Sequence, residues 1–162
     1  MSTFNSKFSG VITSSPIGSP GGTALNVTNK RTNLRKPFKI GTWNIRSLFD
    51  AGKLANLTRE MNRLSLDILG VAETWWPGVG ECKVDNGVFF YSGNEDPKHR
   101  KGVGIVVTKE ILKFVVDFVP YSDRTALLKL RARPSNLNII QVYAPTPDSP
   151  DQEVERFYDE IK

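Results

Sequence analysis

The order of hydrophobic patterns in residues 38–73 constrains the fold of this chain more than any other feature. The run "FKIGTWN" is typical of a strand, and the later run "LDILGVAE" is typical of a buried strand. Between them, apolar residues recur at helical spacing from Leu54 to Leu64, which predicts an amphipathic helix that covers a sheet. A connection of this length joins parallel strands, so we expect the two strands to end side by side.

The rest of the chain consists mainly of short strand patterns. They are "GVFFYSG", "VGIVVT", "FVVDFV", "RTALLKLRA" and "NIIQVYA". In the fourth pattern every second residue from Ala126 to Leu130 is apolar, and Lys129 lies between two of them, which predicts one buried face and one partly wet face. The order predicts an α/β domain with mainly antiparallel pairing after the first β-α-β unit.

The first 36 residues differ in composition from the rest. They are rich in Ser, Thr, Gly, Asn and Pro without apolar periodicity, which predicts a disordered basic arm before a folded domain at 37–162. The net charge is +5, but six of the 22 basic residues and no acidic residue lie in 1–39; residues 40–162 therefore hold 16 basic against 17 acidic residues, a net of −1. Attraction to phosphate is expected mainly from the arm, whose basic end is either a solvated tail or a patch for nuclear import or nucleic acid.

Composition also argues against several classes of protein. No run of about 18 apolar residues occurs and the N-terminus lacks the apolar core of a secretory signal, so we expect an intracellular protein, nuclear or cytoplasmic, without membrane partners. Cys82 is the only cysteine and has no His or Cys at ligand spacing. Neither a disulfide framework nor a zinc site is therefore expected.

Three polar residues follow predicted strands at their carboxyl ends, where ligands bind in α/β sheets. They are Asn44, Glu73 and Tyr143. Taken singly, each also has an ordinary structural interpretation: Asn44 as a turn former, Glu73 as a solvated carboxylate, and Tyr143 as an edge aromatic residue.

The sequence motifs around these three residues favour a functional interpretation. "GTWNIRSL", "DILGVAETWW", "GVGIVV" and "IIQVYAPT" occur in this order at suitable separations. Together they resemble the endonuclease/exonuclease/phosphatase (DNase I-like) family, most closely the endonuclease domains of non-LTR (LINE-type) retrotransposons and the similar craniofacial development protein 2 group. The resemblance covers residues 38–162. It implies the N-terminal half of a four-layered α/β sandwich, with mostly antiparallel sheets and flanking helices.

The resemblance also implies a chemistry. Asn44 would help to hold the metal and phosphate region, Glu73 would bind Mg²⁺ or Mn²⁺ directly, and Tyr143 would lie close to the scissile phosphate. Family members hydrolyse a phosphodiester by in-line attack of a water activated by an Asp, with a His and the metal stabilising the transition state. The implied partner of the complete domain is DNA, with no small-molecule cofactor.

The remaining family motifs do not occur in these residues. A Gly-Asp-Phe-Asn-like stretch, a further Asp and a Ser-Asp-His would lie beyond Lys162, and the last helical pattern runs to that residue without a stop signal. The lone His99 falls in a charged loop pattern and is not expected to replace the missing one. We therefore expect a truncated and inactive domain, with the inner faces of "RTALLKL" and "NIIQVY" exposed and promoting self-association.

Further candidate substrate contacts are Arg46, Trp75 and Arg124. Abasic-site endonucleases of the family carry an Asp where this chain has Arg46, which favours the retrotransposon-like branch. Trp75 and its neighbour Trp76 can stack on nucleic acid or pack onto the domain. Arg124, with Lys98, Arg100 and Lys101, can touch phosphates or be merely solvated.

Three functional hypotheses remain open at this point. The first is an endonuclease that nicks DNA, and the second is hydrolysis of another phosphoester, such as an inositol phosphate, a sphingolipid or an RNA tail, since specificity lies in loops. The third is a non-catalytic nucleic-acid-binding or interaction protein.

Overall fold

The structure is a computed structural model that describes residues 11–13, 34, 37–96 and 101–162, with residues 11–13 described as backbone only. It contains nine strands and three helices in these ranges. In chain order they are β1 (Val11–Thr13), β2 (Ile40–Asn44), α1 (Lys53–Arg63), β3 (Ile68–Ala72), β4 (Val79–Val84), β5 (Gly87–Ser92), β6 (Val103–Thr108), α2 (Lys109–Leu112), β7 (Val115–Pro120), β8 (Thr125–Leu130), β9 (Leu137–Val142) and α3 (Asp151–Glu160).

The first sheet has the strand order β2-β3-β6-β5-β4. Strands β2 and β3 run parallel, with Asn44 opposite Ala72, and all other neighbours in this sheet are antiparallel. The predicted β-α-β unit is confirmed, since α1 connects β2 with β3. Because the two strands end together, the residues that follow them leave the sheet side by side.

The second sheet has the order β1-β9-β8-β7 and is entirely antiparallel. Thr125 of β8 pairs with Val142 of β9, so Arg124 and Tyr143 lie next to each other just outside the sheet. The predicted α/β class, with two mostly antiparallel sheets and a few flanking helices, is confirmed.

Apolar side chains pack between the two sheets and on the outer face of the first one. The cluster between the sheets includes Ile68 and Ile105 from the first sheet and Leu128 and Leu130 from the second. A second cluster packs the buried face of α1 against the five-stranded sheet, and its members include Leu57, Met61, Leu69, Val71 and Phe89. The described residues thus form layers of helix, sheet and sheet, each covering apolar surface of the next.

The two sheets approach closely where Gly70 of β3 meets Gln141 of β9. A side chain at Gly70 would overlap the amide oxygen of Gln141, which also accepts a hydrogen bond from the Thr42 hydroxyl at 3.2 Å. Gln141 is only 4% exposed. Gly70, which has no side chain, and Gln141, whose side chain is hydrogen-bonded, therefore set the spacing of the two sheets near the carboxyl ends of β3 and β9.

The expected exposure of the inner faces of β8 and β9 is wrong. Leu128 and Leu130 are fully buried and Ile139 is 7% exposed. The physical reason is that the first five strands after the arm already form a sheet that covers these faces. The predicted alternation in β8 is confirmed, because Leu127 and Lys129 on its other face are half-buried.

Four features of the described residues lie outside the strand and helix predictions, and one of them is the short helix α2 (Lys109–Leu112). Strand β4 was not predicted, since its sequence "VGECKV" has few β-branched residues; it pairs at the sheet edge and exposes alternate side chains. Within the arm, β1 pairs with β9, and Leu34 is buried and bridged to Ala132. The other arm residues lie outside the described part of the chain. Among the helices described, none is long and apolar enough to cross a membrane.

The first testable prediction concerns the packing between the sheets. Leu128→Ala should lower the free energy of unfolding by about 2–5 kcal/mol, because it opens a cavity between two covered faces. Leu127→Ala, on the outer face of the same strand, is the matched control and should cost about 1 kcal/mol or less. Urea unfolding of both variants measures the difference, and equal costs would contradict the two-sheet packing.

Candidate active site

The segments that follow β2 and β3 are joined by backbone hydrogen bonds. The N–H of Ile45 donates to the carbonyl of Ala72 at 3.1 Å, and the N–H of Ser47 donates to the carbonyl of Glu73 at 2.7 Å. The N–H of Leu48 then donates to the carbonyl of Thr74 at 2.9 Å. The parallel pairing of the strands thus continues into both loops and holds them at a fixed spacing.

Both loops contain strained backbone. Of the five non-glycine residues described with positive φ, four lie here: Arg46 at 50°, Ser47 at 94°, Glu73 at 59° and Trp75 at 59°. Non-glycine residues in this region cost on the order of 1–3 kcal/mol each, and they cluster at functional sites. The strained backbone is therefore concentrated next to Asn44 and Glu73, the polar residues at the ends of the two strands.

Asn44, Glu73 and Tyr143 meet at this edge. The Nδ2 of Asn44 donates to Oε1 of Glu73 at 2.7 Å, and the Tyr143 hydroxyl donates to the same oxygen at 2.9 Å. Oδ1 of Asn44 accepts from the N–H of Arg46 at 3.2 Å, which directs Nδ2 toward the carboxylate. No described residue donates to Oε2 of Glu73. The structure thus brings together the three predicted residues, one at the end of β2 and the other two directly after β3 and β9.

The phenol of Tyr143 is held in its neutral form. Burial, the hydrogen bond to Glu73 and the charge of that carboxylate raise the pKa of Tyr143 to about 12, against a smaller lowering effect of Arg124. At neutral pH the hydroxyl is therefore a hydrogen-bond donor directed at Glu73.

Arg124 is placed differently from the sequence-based alternatives of a phosphate contact or a solvated cation. It is 8% exposed, its Nη1 donates to the carbonyl of Tyr143 at 2.9 Å, and its Cζ lies 4.9 Å from the centre of the Tyr143 ring. Its Nε and Nη2 donate to Oε1 of Glu153 at 3.0 and 2.7 Å. The guanidinium of Arg124 therefore holds Tyr143 through both its backbone carbonyl and its ring.

Glu153, on the first turn of α3, is a residue that sequence reasoning missed. It accepts from Lys101 as well as from Arg124, and these two hydrogen bonds lower the pKa of Glu153 to about 2. An acidic residue in the first turn of a helix is common for dipole reasons, so the sequence carried no signal that separated this carboxylate from its neighbours.

A cavity of about 470 Å³ opens beside the two loops. Its lining includes Arg46 and Trp75, together with Lys53 and Phe49, whose side chain is 73% exposed. Trp76 contributes to the lining but packs onto the domain: its Nε1 donates to the carbonyl of Leu48 at 3.1 Å, and its ring meets Phe89 edge-on at 5.5 Å. Arg46 and Trp75 are thus gathered at one opening.

The other candidates, Lys98, His99 and Arg100, lie outside the described residues.

Comparison with known proteins identifies the fold to which this geometry belongs. Residues 41–161 match the model of the Endonuclease/Exonuclease/phosphatase family. The chain belongs to this family. The resemblance inferred from the four sequence words is therefore confirmed, over nearly all of the range in which they occur.

Two curated relatives in the family carry the same name. Craniofacial development protein 2 of Bos taurus is 37% identical over 145 residues, which are 88% of this chain and 24% of the relative. Craniofacial development protein 2 of Tragulus javanicus is 36% identical over 145 residues, which are 90% of this chain and 25% of the relative. The chain spans about a quarter of the length of these relatives.

The donor set at the site fits a hydrated divalent cation of the kind that the family implies. Mg²⁺ in proteins is bound through one or two carboxylates and keeps several waters, and Glu73 offers one carboxylate whose Oε2 accepts from no described residue. Asn44 and Tyr143 orient that carboxylate through Oε1. Among the described residues, no group of three or more His, Cys, Asp or Glu side chains surrounds it. These residues would thus form one side of a metal site rather than a closed cage.

The titration of Tyr143 tests the contact with Glu73. In Glu73→Gln the pKa of Tyr143 should fall from about 12 toward its ordinary value of 10.0, because the hydrogen bond to a charged acceptor and the negative charge are both lost. NMR of tyrosine labelled at the ring carbon Cζ, assigned with Tyr143→Phe, measures the shift. Glu81→Gln, on the exposed edge strand β4, is the control, and an unchanged pKa in Glu73→Gln would contradict the contact.

The stability of the chain should depend on Glu153 in acid. Because the folded-state pKa of about 2 lies below the ordinary 4.5, the stabilisation by ionised Glu153 is complete above about pH 4.5 and is lost as the pH falls toward 2. Glu153→Gln should therefore lower the free energy of unfolding most near neutral pH, with a difference that shrinks in acid. Urea unfolding across this range measures it; Glu155→Gln, exposed on the same helix, should show no such trend.

Proposed function

We propose that this chain supplies the carboxylate, amide and phenol of a Mg²⁺-dependent site that hydrolyses phosphodiester bonds in DNA, in the manner of LINE-type retrotransposon endonucleases. The observation that carries the proposal is the convergence of Asn44 and Tyr143 on one oxygen of Glu73 at 2.7 and 2.9 Å. Two neutral donors orient the carboxylate without neutralising its charge, so it remains able to attract a cation.

Each residue has a distinct part in this proposal. Glu73 holds the cation by charge, and Asn44 fixes the rotamer of that carboxylate while its own orientation is set by the backbone of Arg46. A Mg²⁺ held by Glu73 would supply a Lewis acid to polarise a phosphoryl oxygen. Tyr143, protonated at neutral pH, offers its O–H to negative charge that develops at the phosphate.

We infer that residues 1–162 do not complete the reaction by themselves. The water-activating Asp and the His that the family resemblance implies belong to Gly-Asp-Phe-Asn-like and Ser-Asp-His motifs, and neither motif occurs in these residues. In keeping with this, the described residues around Glu73 contribute an amide and a phenol but no second carboxylate within hydrogen-bonding distance. Turnover is expected only when these residues act with a segment that carries both motifs.

The cavity beside the loops that follow β2 and β3 supports a nucleic-acid substrate. Phe49 is strongly exposed and offers a flat ring, and Trp75 follows Glu73 by two residues. The same opening has two cations, Arg46 and Lys53, and two carboxylates, Asp50 and Asp96; Asp50 is paired with Lys53, which leaves Arg46 as the cation placed for a phosphate. Aromatic faces with an adjacent cation suit a base and its phosphate better than a lipid chain.

A second candidate function rests on the charge distribution. Six basic residues and no acidic residue lie in 1–39, whereas the rest of the chain is nearly neutral. A protein that binds nucleic acid through this arm, without catalysis, would have the same asymmetry. Its affinity would depend steeply on salt and would not require Glu73 or a divalent cation.

Nicking of supercoiled DNA tests the proposed reaction. The protein to be measured carries residues 1–162 joined to the downstream half of a family domain, because the missing motifs lie there. Glu73→Gln should reduce nicking by about 100-fold or more at ordinary Mg²⁺ and recover part of it at high Mg²⁺, since the charge that holds the cation is lost. Tyr143→Phe should reduce nicking by about 100-fold without changing the Mg²⁺ dependence.

Three outcomes separate the hypotheses. Full activity with Gln at position 73 would overturn the role of Glu73. Salt-sensitive DNA binding that disappears on deletion of residues 1–36, without nicking by the joined protein, would favour the binding function. Turnover of an inositol phosphate, a sphingolipid or an RNA tail, with intact DNA, would assign the same site to another phosphoester.

A further inference from the structure

One oxygen of Glu153 receives hydrogen bonds from two basic side chains. Lys101 donates from Nζ to Oε1 of Glu153, and Arg124 donates to the same atom from Nε at 3.0 Å and from Nη2 at 2.7 Å. The side chains of Arg124, Lys101 and Glu153 are 9%, 24% and 27% exposed. These charge-assisted bonds are thus largely shielded from water, where they are stronger than on an open surface.

Each of the two cations is connected through its backbone to a different part of the candidate site. The carbonyl of Lys101 accepts from the N–H of Trp75 at 2.8 Å, two residues beyond Glu73. The carbonyl of Arg124 accepts from the N–H of Tyr143 at 2.8 Å, and Nη1 of Arg124 donates to the carbonyl of Tyr143 at 2.9 Å. The segment that follows Glu73 and the segment of Tyr143 are therefore both attached to Glu153.

We propose that Glu153 is a positioning residue of the site, which holds the segment carrying Glu73 in register with Tyr143 through Lys101 and Arg124. The inference rests on the proposed function of Glu73 and Tyr143. The hydrogen bonds of Glu153 go to Lys101 and Arg124 and not to either of those residues, so it acts on the site through its two partners.

Arg124 suits this role because of its planar fork. Two of its N–H groups point at Glu153 and a third at the carbonyl of Tyr143, while its Cζ lies 4.9 Å from the centre of the Tyr143 ring. A lysine at this position has one point charge on a flexible stem and cannot reproduce the three directions at once. The pair of Arg124 and Glu153 is therefore specific in geometry as well as in charge.

A simpler role for Glu153 would be to attach α3 to the domain. The helix has other attachments, however: Phe157 is 4% exposed, and the hydroxyl of Ser122 donates to Oε2 of Glu160 at 2.7 Å. Because these contacts remain when Glu153 is changed, a substitution there can separate positioning of the site from docking of the helix.

Amide hydrogen exchange in the 162-residue chain tests the proposal. Glu153→Gln keeps the shape of the side chain and removes its charge. Exchange at the amides of Trp75 and Tyr143 should become at least about tenfold faster, because the residues of both acceptor carbonyls lose the side-chain hydrogen bonds that attach them to α3. The amides of Ile105 and Leu128, inside the sheets, should change less than about threefold. Glu155→Gln is the matched control and should change neither pair.

Two further variants test the Lys101 and Arg124 contacts of Glu153 separately. They also replace Glu153→Gln if that variant does not fold. Arg124→Lys should accelerate exchange more at Tyr143 than at Trp75, and Lys101→Met should do the reverse. Acceleration confined to α3, or equal acceleration of all amides, would overturn the proposal, since those results mean helix docking or global destabilisation. The measurement needs neither metal nor DNA, so its failure is distinct from failure of the nicking assay.

Discussion

The close approach of the two sheets at Gly70 and Gln141 is the constraint on which the rest of the site depends. Gln141 of β9 inserts its amide where β3 has no side chain, and Thr42 of β2 donates to the amide oxygen at 3.2 Å. Tyr143 lies two residues beyond Gln141, directly after β9, and Glu73 lies three residues beyond Gly70, directly after β3. The hydrogen bond between these two residues, 70 positions apart in the chain, is possible only because the sheets meet at this spacing.

The two carboxylates near the site illustrate how environment decides the task of a charged group. Glu73 is bonded by an amide and a phenol, both neutral, so its negative charge remains available to a cation. Glu153 is bonded by Lys101 and Arg124, so its charge is compensated within the protein. The first arrangement suits a ligand of a metal ion and the second suits a structural connection.

The strained loops after β2 and β3 lie at the edge of the fold where Asn44, Glu73 and Tyr143 meet. The positive φ angles of Arg46 and Glu73 would be costly in an ordinary connection. They are held by the backbone hydrogen bonds that join the loops, including the 2.7 Å bond from Ser47 to the carbonyl of Glu73. The position of the carboxylate is thus fixed by main-chain geometry as well as by its side-chain partners.

The sequence by itself determined the elements with a local signal. The helical spacing from Leu54 predicted α1, which spans Lys53–Arg63, and alternation predicted the buried face of β8. The family motifs around Asn44, Glu73 and Tyr143 identified the three residues that converge. Each motif spans the end of a strand, and the strand and the residue after it are adjacent in the sequence. Strand β4 was missed, since "VGECKV" has little β-branched character and owes its pairing to β5.

Only the tertiary structure decided the roles that depend on distant partners. The inner face of β8 is covered by a sheet whose strands precede it in the chain, and no local pattern reveals which surface will cover it. Arg124 was expected at the surface, yet it is buried because Glu153, 29 residues away, compensates its charge. The sequence around a single charged residue does not show whether its side chain is solvated or paired with another charge. Desolvation and pairing are properties of the folded neighbourhood, and for that reason they appeared only when the sheets and α3 were in place.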